Sequence, residues 1–177
     1  LCAAFLVGIS TGCLGGLDYL WGKATATKRD VTEDEVLWGG FRLGGEYRLK
    51  YDFFLTQRDD WSKRLALSGT NQIKGALDIS VAEYERNPAN WPHILGVVAS
   101  GVHIKCVKLV SYGAPGYGRS LFPFAEILDG PHQGTIVEIN TLRSYKSAEK
   151  GPKGMVLPKP DYQLLEEVAV DIDEDGS

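Results

Sequence analysis

The chain has 177 residues, 44% of them hydrophobic and 24% charged, and a formal net charge of −4. These values fit one compact domain with appendages, and they provide no clustered cationic footprint, so nucleic acid is not expected as a partner. The three cysteines, Cys2, Cys13 and Cys106, form no C-x-x-C pair, so the sequence indicates no zinc site, no disulfide framework and no bound cofactor.

Leu1 to Trp21, LCAAFLVGISTGCLGGLDYLW, carries no charge before Asp18. It has about the ~20 apolar residues that a membrane-crossing helix needs, although Gly8, Gly12, Gly15 and Gly16 weaken it as a helix. Leu1 to Ile9 also has the length of a signal-peptide apolar region, with Ser10 to Cys13 as a small-residue cleavage region. A buried, glycine-rich helix is the third reading. Ser10-Thr11-Gly12-Cys13 resembles the lipobox of bacterial lipoproteins, with Ser10 where an aliphatic residue is usual, and the resemblance implies Cys13 as a lipidated N-terminus. Residues 1–23 are thus expected to be a signal, lipoprotein or membrane-anchor segment. The rest of the chain would then be delivered to the cell envelope, membrane-anchored or exported.

Residues 24–44 are expected to form a polar linker, with Thr32 and Glu35 spaced as a capping box for one helical turn. Glu46 to Leu55, EYRLKYDFFL, alternates Tyr47, Leu49, Tyr51 and Phe53 against Glu46, Arg48, Lys50 and Asp52, which predicts a strand with one face in a core. Lys63 to Leu67 is a second strand. Ser80 and Glu83 form a capping box that opens a short helix within an insert, 80–92, and Pro88 ends it. Tyr84, Trp91 and His93 offer aromatic area for a binding lip, with Trp91 a candidate ligand contact; the bland alternative is that Tyr84 and Trp91 cover the core.

His103 to Ser111 is the next strand, and its apolar residues change side midway, from Ile104 and Cys106 to Val107 and Leu109. A bulge or strong twist near Val107 accounts for that switch. Tyr112 to Arg119, YGAPGYGR, is a glycine-rich hairpin loop that lacks the GxxxxGK[ST] spacing of a phosphate cradle. Tyr112, Tyr117 and Arg119 make it a candidate contact surface. Leu121 to Leu128 follows as a strand in which Pro123 argues for an edge position or a bulge. Gly130 and Gly134 mark a tight reversal, and Thr135 to Leu142 returns as the last strand of a meander.

Gly96-Val97-Val98-Ala99-Ser100-Gly101, then an apolar strand, then Ala125 to Gly134 (AEILDGPHQG) and a closing strand resemble the bacterial SH3-like barrel module, with Thr135 where a tryptophan is usual. The resemblance implies a binding or adaptor role and carries no ligand residues with it. The fold expected is mainly β, a small, partly open SH3-like barrel of about five strands over residues 45–145. Residues 146–177 are expected to be an extension holding a short helix, capped by Asp161, with Leu164, Leu165 and Val168 as its apolar stripe. Its tail, Asp171 to Gly176, matches the opening of a calcium loop but lacks the later ligands, so an acidic tail is expected.

His93, His103 and His132 have no metal-binding spacing. His103, Cys106 and His132 are the one constellation a small hydrolase would draw on, and Glu126 with Glu138 the one carboxylate pair. The leading expectation is a non-enzymatic binding or scaffolding module of a bacterial envelope, with a protein or cell-wall component as partner. The alternative is a structural subunit of a membrane complex held by an N-terminal transmembrane helix, and the hydrolase is weaker still.

Overall fold

The computed structural model describes residues 27–58, 63–73, 77–114, 118–144 and 149–168. Within them the chain is mainly β, a nine-stranded sheet with one short helix and several 3-10 turns. The strands are β1 (Thr27–Asp30), β2 (Glu46–Leu49), β3 (Phe53–Gln57), β4 (Leu65–Gly69), β5 (Ile94–Val98), β6 (His103–Ala114), β7 (Gly118–Ile127), β8 (Ile136–Glu138) and β9 (Leu165–Glu167); helix α1 is Val81–Arg86. Hydrogen-bonded neighbours run β5-β3-β4-β8-β7-β6-β2-β9, and β1 pairs with β6.

The β6–β7 hairpin is the longest ladder, from Ile104 opposite Ile127 to Ala114 opposite Gly118. Its register shifts between Cys106 and Lys108, so β6 carries one extra residue at Val107. This bulge lets Ile104, Cys106 and Leu109 all reach the core despite their mismatched spacing. The β7–β8 reversal places Gly130 and Gly134 at φ of +77° and +79°, where a side chain is strained.

Glu46 to Leu55 breaks at Lys50 to Asp52 into β2 and β3. Tyr47, Leu49 and Phe53 are buried on the predicted face, but Tyr51 at the break is exposed. Both halves nevertheless face one partner segment in one register: Arg48 lies opposite His103, and Phe53 opposite Val98. Between these ladders the Leu49 N–H donates to the Val102 carbonyl at 2.9 Å, and the Gly101 N–H to the Leu49 carbonyl at 2.7 Å.

Residues 24–44, expected as a linker, contribute to the fold instead. β1 is fully exposed and polar, yet it pairs with β6 from Thr27 opposite Gly113 to Asp30 opposite Val110. The Thr32 hydroxyl does not cap a helix; it donates to Asp30 Oδ1 and accepts from the Leu109 N–H at 3.1 Å. A 3-10 turn, Glu35–Trp38, then sends Leu37 and Trp38 into the core, followed by Phe41. Gly39, at φ +61°, passes so close to the C-terminal segment that a Cβ would lie 2.4 Å from the Pro158 carbonyl oxygen.

The predicted cap of the insert is present: Ser80 Oγ accepts from the Glu83 N–H at 3.2 Å and opens α1. Beneath it lies a second, smaller apolar cluster of Phe54, Ile79 and Ile94, with Val81, Tyr84 and Trp91 packed against it. The expected C-terminal helix is replaced by a turn and β9. Asp161 still caps, accepting from the Gln163 N–H at 3.0 Å, but Leu165 pairs opposite Leu49 and is buried there. A free edge on β2 outcompetes a helix whose apolar stripe is too short to hold itself together. The calcium-loop residues of the tail lie outside the described residues.

Candidate functional site

The far end of the β6–β7 hairpin gathers most of the sheet's polar and aromatic side chains of interest. On its outer face the Tyr112 and Phe122 rings meet edge to face at 5.2 Å. Arg64, just before β4, lies over both, its guanidinium carbon 4.9 Å from the Tyr112 centroid and 5.1 Å from that of Phe122. One guanidinium nitrogen of Arg64 is 2.8 Å from the carboxylate of Glu138, which is fully buried on β8, and Arg58 stands 3.9 Å from the same carboxylate. Rings and carboxylate thus share one cation, and each partner lowers the cost of burying the others.

Arg119 occupies the opposite face. Directly opposed residues of an antiparallel pair share a face, and Arg119 opposes Gly113 whereas Tyr112 opposes Ser120. Arg119 lays its stem across Gly113, where a Cβ would sit 2.7 Å from Arg119 Cγ. Its guanidinium donates to Ser111 Oγ at 3.1 Å and to Thr27 Oγ1 at 3.2 Å, closing the end of the core against β1.

Beside this end, β7 borders a cleft of about 450 Å³ lined by Gly118 to Phe122, Asn140, Arg143 and Gly154 to Val156. The volume lies within the ~300–1,000 Å³ usual for ligand sites. Arg143 is nearly buried and donates to the Leu121 carbonyl at 2.9 Å and to Asn140 Oδ1 at 2.6 Å. A shallower concavity lies along Asp30 to Glu35, over Lys108. There Asp30 is ion-paired with Lys108 at 2.8 Å, and the hydrogen bonds from Lys108 and Thr32 hold its carboxyl down at about 2. Among the described residues no three metal-ligating side chains come together.

No known protein family, curated protein or solved structure matches this chain. What it can do must therefore be read from its own residues.

Of the predicted contact residues, Tyr112 and Arg119 share the hairpin end but on opposite faces. Trp91 belongs to the cluster under α1, its ring 6.2 Å from that of His93. Tyr117 and Cys13 lie outside the described residues. Among the hydrolase candidates, Cys106 is fully buried and burial pushes its thiol up to about 12, so it holds no thiolate near neutral pH. His103 is paired with Asp129, Nδ1 to Oδ2 at 2.8 Å. His132 packs against Gly96, where a Cβ would lie 2.6 Å from its Nε2. Glu126 lies opposite Lys105, whose ammonium is paired with Glu46 at 3.1 Å, while Glu138 is bound by Arg64. In the folded chain the peptide carrying Cys106, followed by mass spectrometry apart from Cys2 and Cys13, is expected to stay unmodified by a neutral aromatic disulfide reagent for as long as the protein remains native; rapid modification of that peptide before unfolding would show an accessible thiol.

Arg64, Asn140 and Arg143 escaped sequence reasoning. Glu138 carried a signal, since it sits between Val137 and Ile139 in a run too short and too apolar to leave a charge in water.

Proposed function

We propose that this chain is a non-enzymatic binding module of a bacterial envelope, attached to or exported across a membrane by residues 1–23, and that its contact surface is the cleft beside β7. The observation that carries the reading is the composition of that cleft. Arg119 and Arg143 line it together with Phe122, Met155 and Val156, and among the described residues no carboxylate lines it. A concave surface with apolar walls and a few fixed polar groups is the usual form of a recognition site.

We further infer a small barrel of about five strands as the scaffold. The common register of β2 and β3 against β6 and β5 supports it, because segments 46–57 and 94–114 then act as two long bent strands. With β4, β7 and β8 between them, β3 pairs with β4, β4 with β8, β8 with β7 and β7 with β6, which returns to β2.

Residues 1–26 lie outside the described residues, and among those described no helix is long and apolar enough to cross a membrane. The attachment is tested by mass spectrometry of the mature N-terminus: a diacylglyceryl mass on Cys13 supports a lipoprotein, and a soluble chain with Leu1 intact rules out the attachment. The contact surface is tested by hydrogen exchange on the full chain in native membranes and after purification. Residues 118–122 and 154–156 should exchange more slowly in the membranes, and equal rates would remove the cleft as the contact surface.

A further inference from the structure

Pro158 to Asp161 are tied to the domain, and the segment after them is held differently. The Gly40 N–H donates to the Pro158 carbonyl at 3.0 Å, the Ser144 N–H to that of Lys159 at 2.8 Å, and the Asp161 N–H to that of Leu142 at 2.8 Å. A turn follows, in which the Leu164 N–H donates to the Asp161 carbonyl at 2.8 Å. β9 then runs beside a single strand, β2, with the Lys50 N–H donating to the Leu164 carbonyl at 2.9 Å and the Val168 N–H to the Glu46 carbonyl at 3.0 Å. Among the described residues after Pro160, Leu165 alone is buried. A segment with one apolar anchor opens more easily than the core it rests on.

The rest of its attachment is charge near the surface. Adjacent residues of a strand face opposite ways, so Glu166 and Glu167 hold β9 from both faces. Glu166 Oε2 accepts from Arg48 Nη2 at 2.5 Å and from Arg48 Nε at 3.2 Å, and Glu167 pairs with Arg42. The side chain of Arg42 is 67% exposed and that of Arg48 47%. Ion pairs so placed are screened by salt, whereas the apolar core is not.

Beneath them lies a polar group without a partner. Tyr47 opposes Glu167 across the β2–β9 ladder and is fully buried, with its ring edge to face against Phe41 at 5.6 Å. Among the described residues its hydroxyl makes no hydrogen bond. Burial, then the neighbouring Cys106, Glu167 and Tyr162, push its phenol pKa up, and the last two belong to the segment that covers it. An unpaired buried hydroxyl costs its hydration in the closed state and regains it once β9 lifts.

We propose that residues 162–168 form a latch on β2 that opens as a unit ahead of the rest of the fold, that salt releases it through the Arg42–Glu167 and Arg48–Glu166 pairs, and that opening frees the β2 edge and hydrates the Tyr47 hydroxyl. The domain then has a closed and an open form, and ionic conditions set the balance.

The test is hydrogen exchange on the full chain at fixed pH, read as protection factors at single amides, in about 0.05 M and about 1 M sodium chloride, between which the Debye length falls to about 3 Å. Leu49 and Lys50 report opposite edges of β2, since the Leu49 N–H goes to Val102 and the Lys50 N–H to Leu164. Lys50 and Val168 should be less protected than Leu49, and salt should speed their exchange about threefold or more while leaving Leu49 unchanged. Glu166→Gln with Glu167→Gln should bring both amides to the high-salt rate at low salt and abolish the response. Tyr47→Phe should slow them about fivefold or more, the opposite of what losing a bonded hydroxyl does. Equal protection of Lys50, Val168 and Leu49 overturns the latch, because β9 then leaves only when the whole fold does. A salt response that persists in the double variant overturns control by the two ion pairs, and faster exchange at Lys50 in Tyr47→Phe removes Tyr47 from the device.

Discussion

Replacing Arg64 with alanine is expected to lower the stability of the fold by about 3–5 kcal/mol, because it leaves the carboxylate of Glu138 buried without its closest cation. Glu138 is fully buried, and among the described residues Arg58 stands 3.9 Å from its carboxylate against 2.8 Å for Arg64. The truncation also strips the cation from over the Tyr112 and Phe122 rings. The measurement is the urea midpoint at constant slope, so that a change in the unfolded state is recognised as such. A double replacement, Arg64→Met with Glu138→Leu, should recover most of the loss, since two apolar side chains of similar volume remove the desolvation problem along with the attraction. A loss below about 1 kcal/mol for Arg64→Ala would mean that water reaches the pair, as it does in exposed ion pairs.

Trp38→Ala is the second large effect, a loss of about 3–5 kcal/mol through the cavity it opens. Trp38 is among the largest fully enclosed side chains and belongs to the main core cluster. Its indole N–H donates to the Thr32 carbonyl at 2.7 Å, and the Thr32 hydroxyl in turn receives the Leu109 N–H. The residue thus ties the turn after β1 to the middle of β6. Trp38→Phe retains much of the volume and should cost about 1–3 kcal/mol, the part due to the unpaired carbonyl and a smaller cavity. Equal losses for the alanine and phenylalanine variants would assign the effect to the hydrogen bond, not to packing.

Features set by neighbours in sequence were legible, and features set by distant segments were not. Period-two alternation found β2 and part of β3 through Tyr47, Leu49 and Phe53, and the mismatch between Cys106 and Leu109 located the bulge. Ser80 and Glu83 announced α1, and Gly130 with Gly134 announced the reversal before β8. β1, by contrast, is the polar tetrapeptide TKRD, and its strand character comes entirely from the β6 edge it meets. Leu164 and Leu165 suit a helix or a strand equally over so short a stretch, and the unfilled edge of β2 decides. Within the candidate site, Tyr112 and Arg119 were found by composition, but one residue of difference in register sends them to opposite faces. Pro123 was legible as a limit on pairing, and the ladder to β8 stops beside it.

The hydrogen bond from Arg119 to the Thr27 hydroxyl fixes where the preceding chain enters the domain. Thr27 is paired with Gly113 of β6 and receives a hydrogen bond from Arg119, so the first described residue is anchored at the hairpin end. If residues 1–23 are the membrane attachment proposed above, the spacer between lipid and the first strand residue is a few residues, no more than about 3.3–3.6 Å each. The cleft would then open close to the bilayer surface, within reach of partners held there and poorly placed for partners farther away.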